Sequence, residues 1–470
     1  MRRFLMALTA VCLAVVVAAP ALADAQPSAR DIQTAVDSYL ATSDQDVNLV
    51  GGPGSAGYDQ GFWIKGGDFS LKINLTLQAR FEYAKYDAAF AGRPQSTLSG
   101  FSLPRATLKF SGTAPCNVSY YMELEFGHYG RDVVTAAVGP GGFVNNALGP
   151  YQQSLNFDNT REAWVQWSMS DLFNFRMGQI KTANTRQLMT APEMQQFVDI
   201  SLASAFIGHT MPGYTDRNRD HGFAIHGAFG CDNEWSYLIT VTNGDGGDSI
   251  RNVLDTRTSD GVAFSGRLNW AFLNPIGYQE GALRQSTCEW YGEIGGWGYY
   301  YADRFDAPHT TVADVIRFGG DLALGYSGFS FTGAFNYGMD EDAAGNDVVY
   351  TAILAQLGYH FPGTAWEVAG RWSTWDIDNA APAFVLAAPG GSAPNALMTP
   401  VGNGAVSEFG FAINYYLNGH GNKLTLDVSI ISGDDVGSVM LTDPYVGVRG
   451  GAIGANDVGI LIRFQWQLAL

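Results

Sequence analysis

The chain has 470 residues and a formal charge of −18, yet only 15% of its residues are charged, 13% are aromatic and 57 are glycine. A soluble domain usually has about 25% charged residues, so an ordinary soluble enzyme fits poorly, and a mean hydropathy of −0.02 excludes a helical membrane protein. Low charge, near-neutral hydropathy and abundant aromatics fit a transmembrane β-barrel, whose strands alternate lipid-facing and water-facing residues.

The first residues read as a secretory leader. Arg2 and Arg3 give a positive start, Phe4 to Ala19 an apolar run, and Pro20-Ala21-Leu22-Ala23 a small-x-small cleavage pattern before Asp24. The apolar run is shorter than the roughly 20 residues that a spanning helix needs. Residues 1–23 are therefore expected to be a signal peptide, and its loss moves the formal charge from −18 to −20. Residues 24–61 are expected to be a short periplasmic segment, with an amphipathic helix over Ala29 to Leu40 and a linker at GGPGSAG, 51–57.

From about residue 62 the hydrophobic period becomes two. In SLKINLTLQARFEY, Leu71, Ile73, Leu75, Leu77, Ala79 and Phe81 face one way, and Lys72, Asn74, Thr76, Gln78, Arg80 and Glu82 the other. FSLPRATLKFSG, NVSYYMELEF and REAWVQWSM repeat the pattern. Further candidates begin near Phe173, Gly222, Trp235, Val262, Glu289, Ile316, Phe329, Val349, Trp366, Phe409, Leu424 and Val458, sixteen strands in all. Sixteen is even, as a single-chain bacterial barrel requires, and is the size that leaves an aqueous channel. Large residues dominate the apolar faces for nearly 400 residues with no helical layer to cover them, so those faces must meet lipid or a second sheet. The predicted fold is all-β, a transmembrane antiparallel barrel over 62–470 with one long connection folded inward.

Beyond the leader, Cys116, Cys231 and Cys288 are odd in number and widely spaced, which suggests neither a disulfide framework nor a zinc site. They are expected as small apolar fillers in strands. Asp-rich stretches at 244–249, 339–347 and 432–437 read as solvated loops, and none has the EF-hand pattern. No hydrolase, metalloprotease, phosphate-loop or dinucleotide signature appears in a fitting context.

The stretch TREAWVQWSMSDLFNFRMGQIKTANTRQLMTAPEMQQFVD, 160–199, resembles the phosphate-selective porin O/P family. There a strand and turn lead through an RxGQxK element, here Arg176, Gly178, Gln179 and Lys181, into a long loop inside the barrel. Segments 100–112, 221–246, 370–378 and 409–430 are similar too, in the same order along the chain. The resemblance implies a sixteen-stranded outer-membrane porin, commonly a homotrimer, placed in the lipid of the outer membrane by the barrel-assembly machinery. It also implies a diffusion channel that in some members prefers phosphate or polyphosphate. Two departures stand out. The chain ends in Leu470 where many members end in an aromatic residue, and its basic residues are fewer.

Strand parity puts Lys72, Arg80, Arg105, Lys109, Arg176, Arg267, Arg317, Arg371 and Arg463 on the lumen face. It puts Glu82, Glu123, Glu125, Glu162, Glu293, Asp321, Glu367 and Asp427 there as well. Lys181 and Arg186 open the long connection at about 182–220, so these two with Arg80, Arg105 and Lys109 are the expected positive side of a constriction. Arg176, Arg267, Arg371 and Lys72 complete the candidate pore lining. The alternative is that the arginines pair with the lumen acids and leave a weakly selective pore. The expected function is a passive channel for small hydrophilic solutes or ions, with anions such as phosphate as candidate permeants. A non-conducting structural or adhesive barrel and an outer-membrane barrel enzyme stay open on the sequence. No cofactor, metal or nucleic-acid partner is expected.

Overall fold

In the computed structural model the residues described are 47–48, 54–86, 97–127, 160–210, 219–244, 262–283, 288–305, 312–341, 347–378, 404–434, 439–441, 451–453 and 458–470. The expected leader, the expected helix at 29–40 and most of the Asp-rich loop residues lie outside them. The barrel strands are β1 (Phe69–Tyr86), β2 (Thr97–Ala114), β3 (Val118–Glu125), β4 (Thr160–Ser168), β5 (Asn174–Lys181), β6 (Arg219–Phe229), β7 (Trp235–Thr242) and β8 (Ala263–Trp270). They continue with β9 (Trp290–Phe305), β10 (Val312–Tyr326), β11 (Phe329–Glu341), β12 (Asp347–His360), β13 (Trp366–Asp378), β14 (Gly404–Asn418), β15 (Asn422–Asp434) and β16 (Val458–Ala469). Each pairs antiparallel with the next, and β16 closes on β1 from Gly459↔Tyr86 to Ala469↔Thr76. The sixteen expected strands are the sixteen observed.

Closure leaves no backbone edge to face lipid, so the side chains decide which face meets what. In β16, Val458, Ile460, Phe464 and Trp466 are exposed outward, while Gly459, Leu461, Arg463, Gln465 and Gln467 are buried. This is inside-out relative to a soluble protein: Arg463 is 0% exposed and Phe101 is 88% exposed. Bands of apolar residues such as Phe411, Leu426 and Ile430 make the lipid-facing wall.

One end of the barrel has short turns, such as 115–117, 327–328 and 419–421; the other has the long connections. A girdle of stacked aromatics marks the turn side. Trp235 stacks on Trp270 with centroids 5.2 Å apart, Trp290 on Tyr326 at 4.4 Å, and Trp366 packs on Tyr415 at 4.6 Å. Such rings settle at a membrane–water interface. The three cysteines lie on this side too, exposed, rather than packed in strands as expected. Cys116 (φ +67°) and Asn117 (φ +59°) form the left-handed pair of a tight hairpin turn, a conformation that no strand filler adopts.

Before the barrel, Gly54–Tyr58 and Phe62–Gly66 form a hairpin, so part of the expected linker is strand. The hairpin pairs onto the start of β1, from Phe62↔Ile73 to Gly66↔Phe69, on the edge where β16 runs out. There the Leu470 N–H donates to the Leu75 carbonyl at 2.8 Å, and Asn74 Nδ2 donates to the Leu470 carbonyl at 2.7 Å. No described helix is long and apolar enough to cross a membrane, which bears only on helices.

If the outer face meets lipid, Phe411→Lys should destabilise the barrel by about 2–4 kcal/mol, depending on depth. The measurement is the temperature at which the folded band converts on a heat-modifiability gel. An unchanged temperature would place Phe411 outside the hydrocarbon layer.

Candidate functional site

The connection after β5 folds into the barrel, as the resemblance implied. Its described part, 182–210, carries a short helix α1 (Arg186–Met189), a single 3₁₀ turn (Pro192–Met194) and α2 (Leu202–Thr210). An irregular backbone at membrane depth needs a partner for every polar group. The lumen acids supply several. Asp321 Oδ2 accepts from the Arg186 N–H at 3.0 Å, Asp427 Oδ2 from Val198 at 3.1 Å, and Glu408 Oε2 from Leu202 at 2.9 Å. Glu408 thereby takes one of the free N–H groups at the start of α2. Apolar contacts hold the same loop against the wall, with Phe206 stacked on Trp375 at 4.5 Å and edge-on to Tyr350 at 5.4 Å.

The strongest anchor is Asp199. Arg80 Nη1 lies 2.7 Å from one carboxylate oxygen and Arg463 Nη1 3.5 Å from the same oxygen, while Arg105 Nη2 lies 2.8 Å from the other. These arginines come from β1, β16 and β2. Arg80 also meets Glu82 at 2.9 Å, and Arg463 forms a paired contact with Asp427. Arg80 is thus placed at the loop's anchor.

The remaining candidates are distributed as follows. Lys109 pairs with Glu193 of the inner loop; burial opposes the charge of Glu193, but the ammonium beside it keeps its carboxyl below the ordinary range. Arg267 meets both oxygens of Asp321 at 2.7 Å, and Arg371 meets Glu408 at 2.6 Å while lying over the Phe197 ring. Arg186 reaches the Gly277 carbonyl and lies 3.4 Å from Glu293. Lys72 sits opposite Trp63 of the hairpin, on the turn-side extension of β1. Arg176 packs on Trp164, with Cζ 3.9 Å from the ring centroid. Lys181 donates to the Met189 carbonyl at 3.2 Å.

A second inward segment enters from the turn side. In the connection between β8 and β9, Glu280 Oε1 accepts from Gln187 Nε2 at 2.7 Å, and its Oε2 from the Gln196 N–H at 2.8 Å and Gln356 Nε2 at 3.0 Å. The Tyr278 hydroxyl accepts from Arg267 Nε at 3.0 Å. Nothing local in the sequence marks this stretch, since its contacts to the inner loop span more than 80 residues.

Between the inner loop and the wall of β2–β6 lies a small, partly open cleft. Arg105, Arg161, Lys181 and Arg219 bring the basic groups to it, facing Gln187, Leu188, Pro192 and Gln195 of the loop. Two of the five expected constriction groups, Arg105 and Lys181, face it together with Arg161 and Arg219, which parity did not supply. Glu123 pairs with Glu162 and Leu124 with Thr160, so Arg161 is the extra residue of a β-bulge. The bulge lets Arg161 and Glu162 both point inward. Arg219 opens β6 at the end of the stretch expected as loop. Arg161 lies 2.9 Å from Glu123, and Arg219 lies 2.8 Å from Glu162. The glycine of RxGQxK has a local reason: Gly178 has φ +139°, and a Cβ there would lie 2.1 Å from the Ala163 carbonyl oxygen.

Comparison with known proteins agrees with this architecture. The sequence profile of the family described as phosphate-selective porin O and P matches residues 73–439. Among solved structures, the anion-selective porin from Comamonas acidovorans superposes with a TM-score of 0.55 at 11% identity, over 86% of this chain and 100% of that one. An outer-membrane-expressed OmpT of Vibrio cholerae gives 0.49 at 8% identity, over 86% and 99%. The outer membrane channel DcaP of Acinetobacter baumannii gives 0.44 at 10% identity, over 85% and 98%. At such identity the first superposition shows the barrel fold alone, and nothing is rested on the other two. No curated protein sequence matches the chain.

If Asp199 anchors the inner loop, Asp199→Asn leaves the arginines around it undercompensated. Breaking a buried ion pair on one side costs about 3–5 kcal/mol. The folded band should convert at lower temperature and single-channel recordings should show more open-channel noise. A variant with wild-type noise and stability would show that the apolar contacts hold the loop unaided.

Proposed function

Because the chain belongs to the phosphate-selective porin O and P family, we propose that its channel passes small hydrophilic anions along the wall of β2–β6. The family and the sixteen-stranded fold are those of a passive outer-membrane channel rather than an enzyme. What carries the anion reading is the basic set at the neck, Arg105, Arg161, Lys181 and Arg219. Rings or patches of such groups set selectivity where the path is narrow. Glu123, Glu162 and Asp199 beside them offset three of the charges, so the proposed preference is a modest one for anions in general, chloride and phosphate included, over cations. Strict phosphate selectivity would call for a richer basic lining.

In this reading residues 1–23 direct export, 24–61 stay on the periplasmic side with the short turns, and the barrel-assembly machinery inserts the rest. We infer a homotrimer. Strands β3, β4, β5, β7 and β8 have only eight or nine residues each and make a low side of the wall. Met122, Val165 and Met177 are exposed there and suit contact with a second copy. Cross-linking in mild detergent should give a trimer band; monomer alone would remove that inference and leave the channel standing.

Planar-bilayer reversal potentials in a salt gradient test the neck. The wild type should prefer anions, and Lys181→Gln should lower the anion-to-cation permeability ratio by about two- to fivefold, the effect of one charge a few ångströms from a passing ion. The difference should be largest at low salt, where screening is least. Cation preference in the wild type, or a ratio unmoved in Lys181→Gln, would reject the neck as the selective element.

A further inference from the structure

On the turn side of the neck, the lumen faces of β3–β6 carry a second group of side chains, joined to the neck through the Tyr121 hydroxyl, which donates to Glu123 Oε2 at 2.9 Å. Tyr121 on β3 and Trp164 on β4 are register partners, stacked with centroids 5.5 Å apart and planes 22° apart. The Arg176 guanidinium of β5 lies over the same indole. Gln166 Oε1 accepts from Arg176 Nε at 3.1 Å and Nη2 at 2.8 Å, which fixes the guanidinium plane, and it also meets His226 Nε2 at 2.9 Å.

Two features set this group apart. Among the described residues no carboxylate lies within ion-pair distance of Arg176, whose polar partner is a neutral amide, whereas Arg80, Arg105, Arg267, Arg371 and Arg463 each have one. The group is also open: Tyr121, Trp164, Gln166, Arg176 and His226 are only half-buried, whereas lumen residues across the barrel such as Tyr350, Trp375 and Asn414 are fully buried. Five residues of strand at about 3.3 Å each put Arg176 roughly 16 Å from Lys181 along β5. An anion that leaves the neck therefore meets a second cation, flat and without a carboxylate in contact among the described residues, on an aromatic platform.

We propose that Tyr121, Trp164 and Arg176 form a subsite for flat organic anions, namely carboxylates attached to an aromatic or conjugated system. The Nη1–Nη2 edge of the guanidinium, beyond the Nε side that Gln166 occupies, takes the carboxylate, and the open side of the Tyr121–Trp164 stack takes the ring. The subsite rests on the channel reading and adds a class of permeant to it. Spherical or tetrahedral anions gain the charge alone, while flat ones gain the stacking as well.

The test is the chloride current of the purified full-length protein in planar bilayers, with benzoate or acetate added to both chambers. Benzoate should reduce the current at concentrations where acetate does not. Trp164→Leu should weaken that block by about three- to tenfold, the size of a lost stacking contact. Arg176→Lys keeps the charge but loses the plane. Read against its own chloride current, this variant should treat benzoate like acetate. Heat-modifiable mobility verifies folding, and if Trp164→Leu does not fold, Tyr121→Leu and Arg176→Lys decide. Equal block by benzoate and acetate in the wild type, or a benzoate block unchanged in Arg176→Lys, would overturn the subsite. Absence of any chloride current from folded protein would instead overturn the channel itself.

Discussion

One carboxylate, that of Asp199, is shared by arginines from the three strands that meet where the barrel closes: β16, β1 and β2. None of these groups would be tolerable alone. A buried ion costs several kcal/mol to remove from water, and three guanidinium groups that close would repel one another. Together they satisfy each other, and the product of that balance is a fixed position for the inner loop. Asp427, Glu408 and Asp321 then take the loop's backbone N–H groups, and Phe206 settles against Trp375. The neck is the cleft left between this anchored loop and the wall of β2–β6.

Much of the wall was legible because lipid and lumen impose opposite demands on neighbouring residues. Arg463 between Ile462 and Phe464 can face only one way. Parity correctly sent Glu293, Asp321, Glu367 and Asp427 inward. It could not say what they would bind, since the partners of Asp321 and Asp427 on the inner loop lie 135 and 229 residues away. Parity also fails wherever the ladder slips. Arg161 is invisible as a neck residue until the bulge opposite Glu123 is known, and a bulge depends on both strands at once. The pairing of arginines with lumen acids, one of the two readings the sequence left open, describes Arg267, Arg371 and Arg463. Arg176 escapes it because its neighbours at the turn side are an amide and two aromatics.

The neck that results is mixed in charge rather than purely basic. Each of Arg161 and Arg219 has a glutamate beside it, while Lys181 has a carbonyl. Among the described residues Lys181 has no carboxylate in ion-pair contact, and a charge without such a contact projects a longer field than a paired one, so Lys181 weighs more in this site than its share of the cations suggests. The segment around Glu280, which grips Gln187 and Gln196 from the turn side, keeps the opposite bank of the neck from drifting.

The lopsided filling of the lumen has an electrical meaning. In the channel proposed above, the packed inner loop acts as an insulator and leaves ions a narrow path beside β2–β6. Voltage divides as resistance does, and most of a membrane potential falls across the narrow element. Moving one elementary charge through 100 mV is worth about 2.3 kcal/mol. The side chains that line the neck therefore sit where the field is steepest, and the anchored loop works as the insulating half of a field-focusing lens.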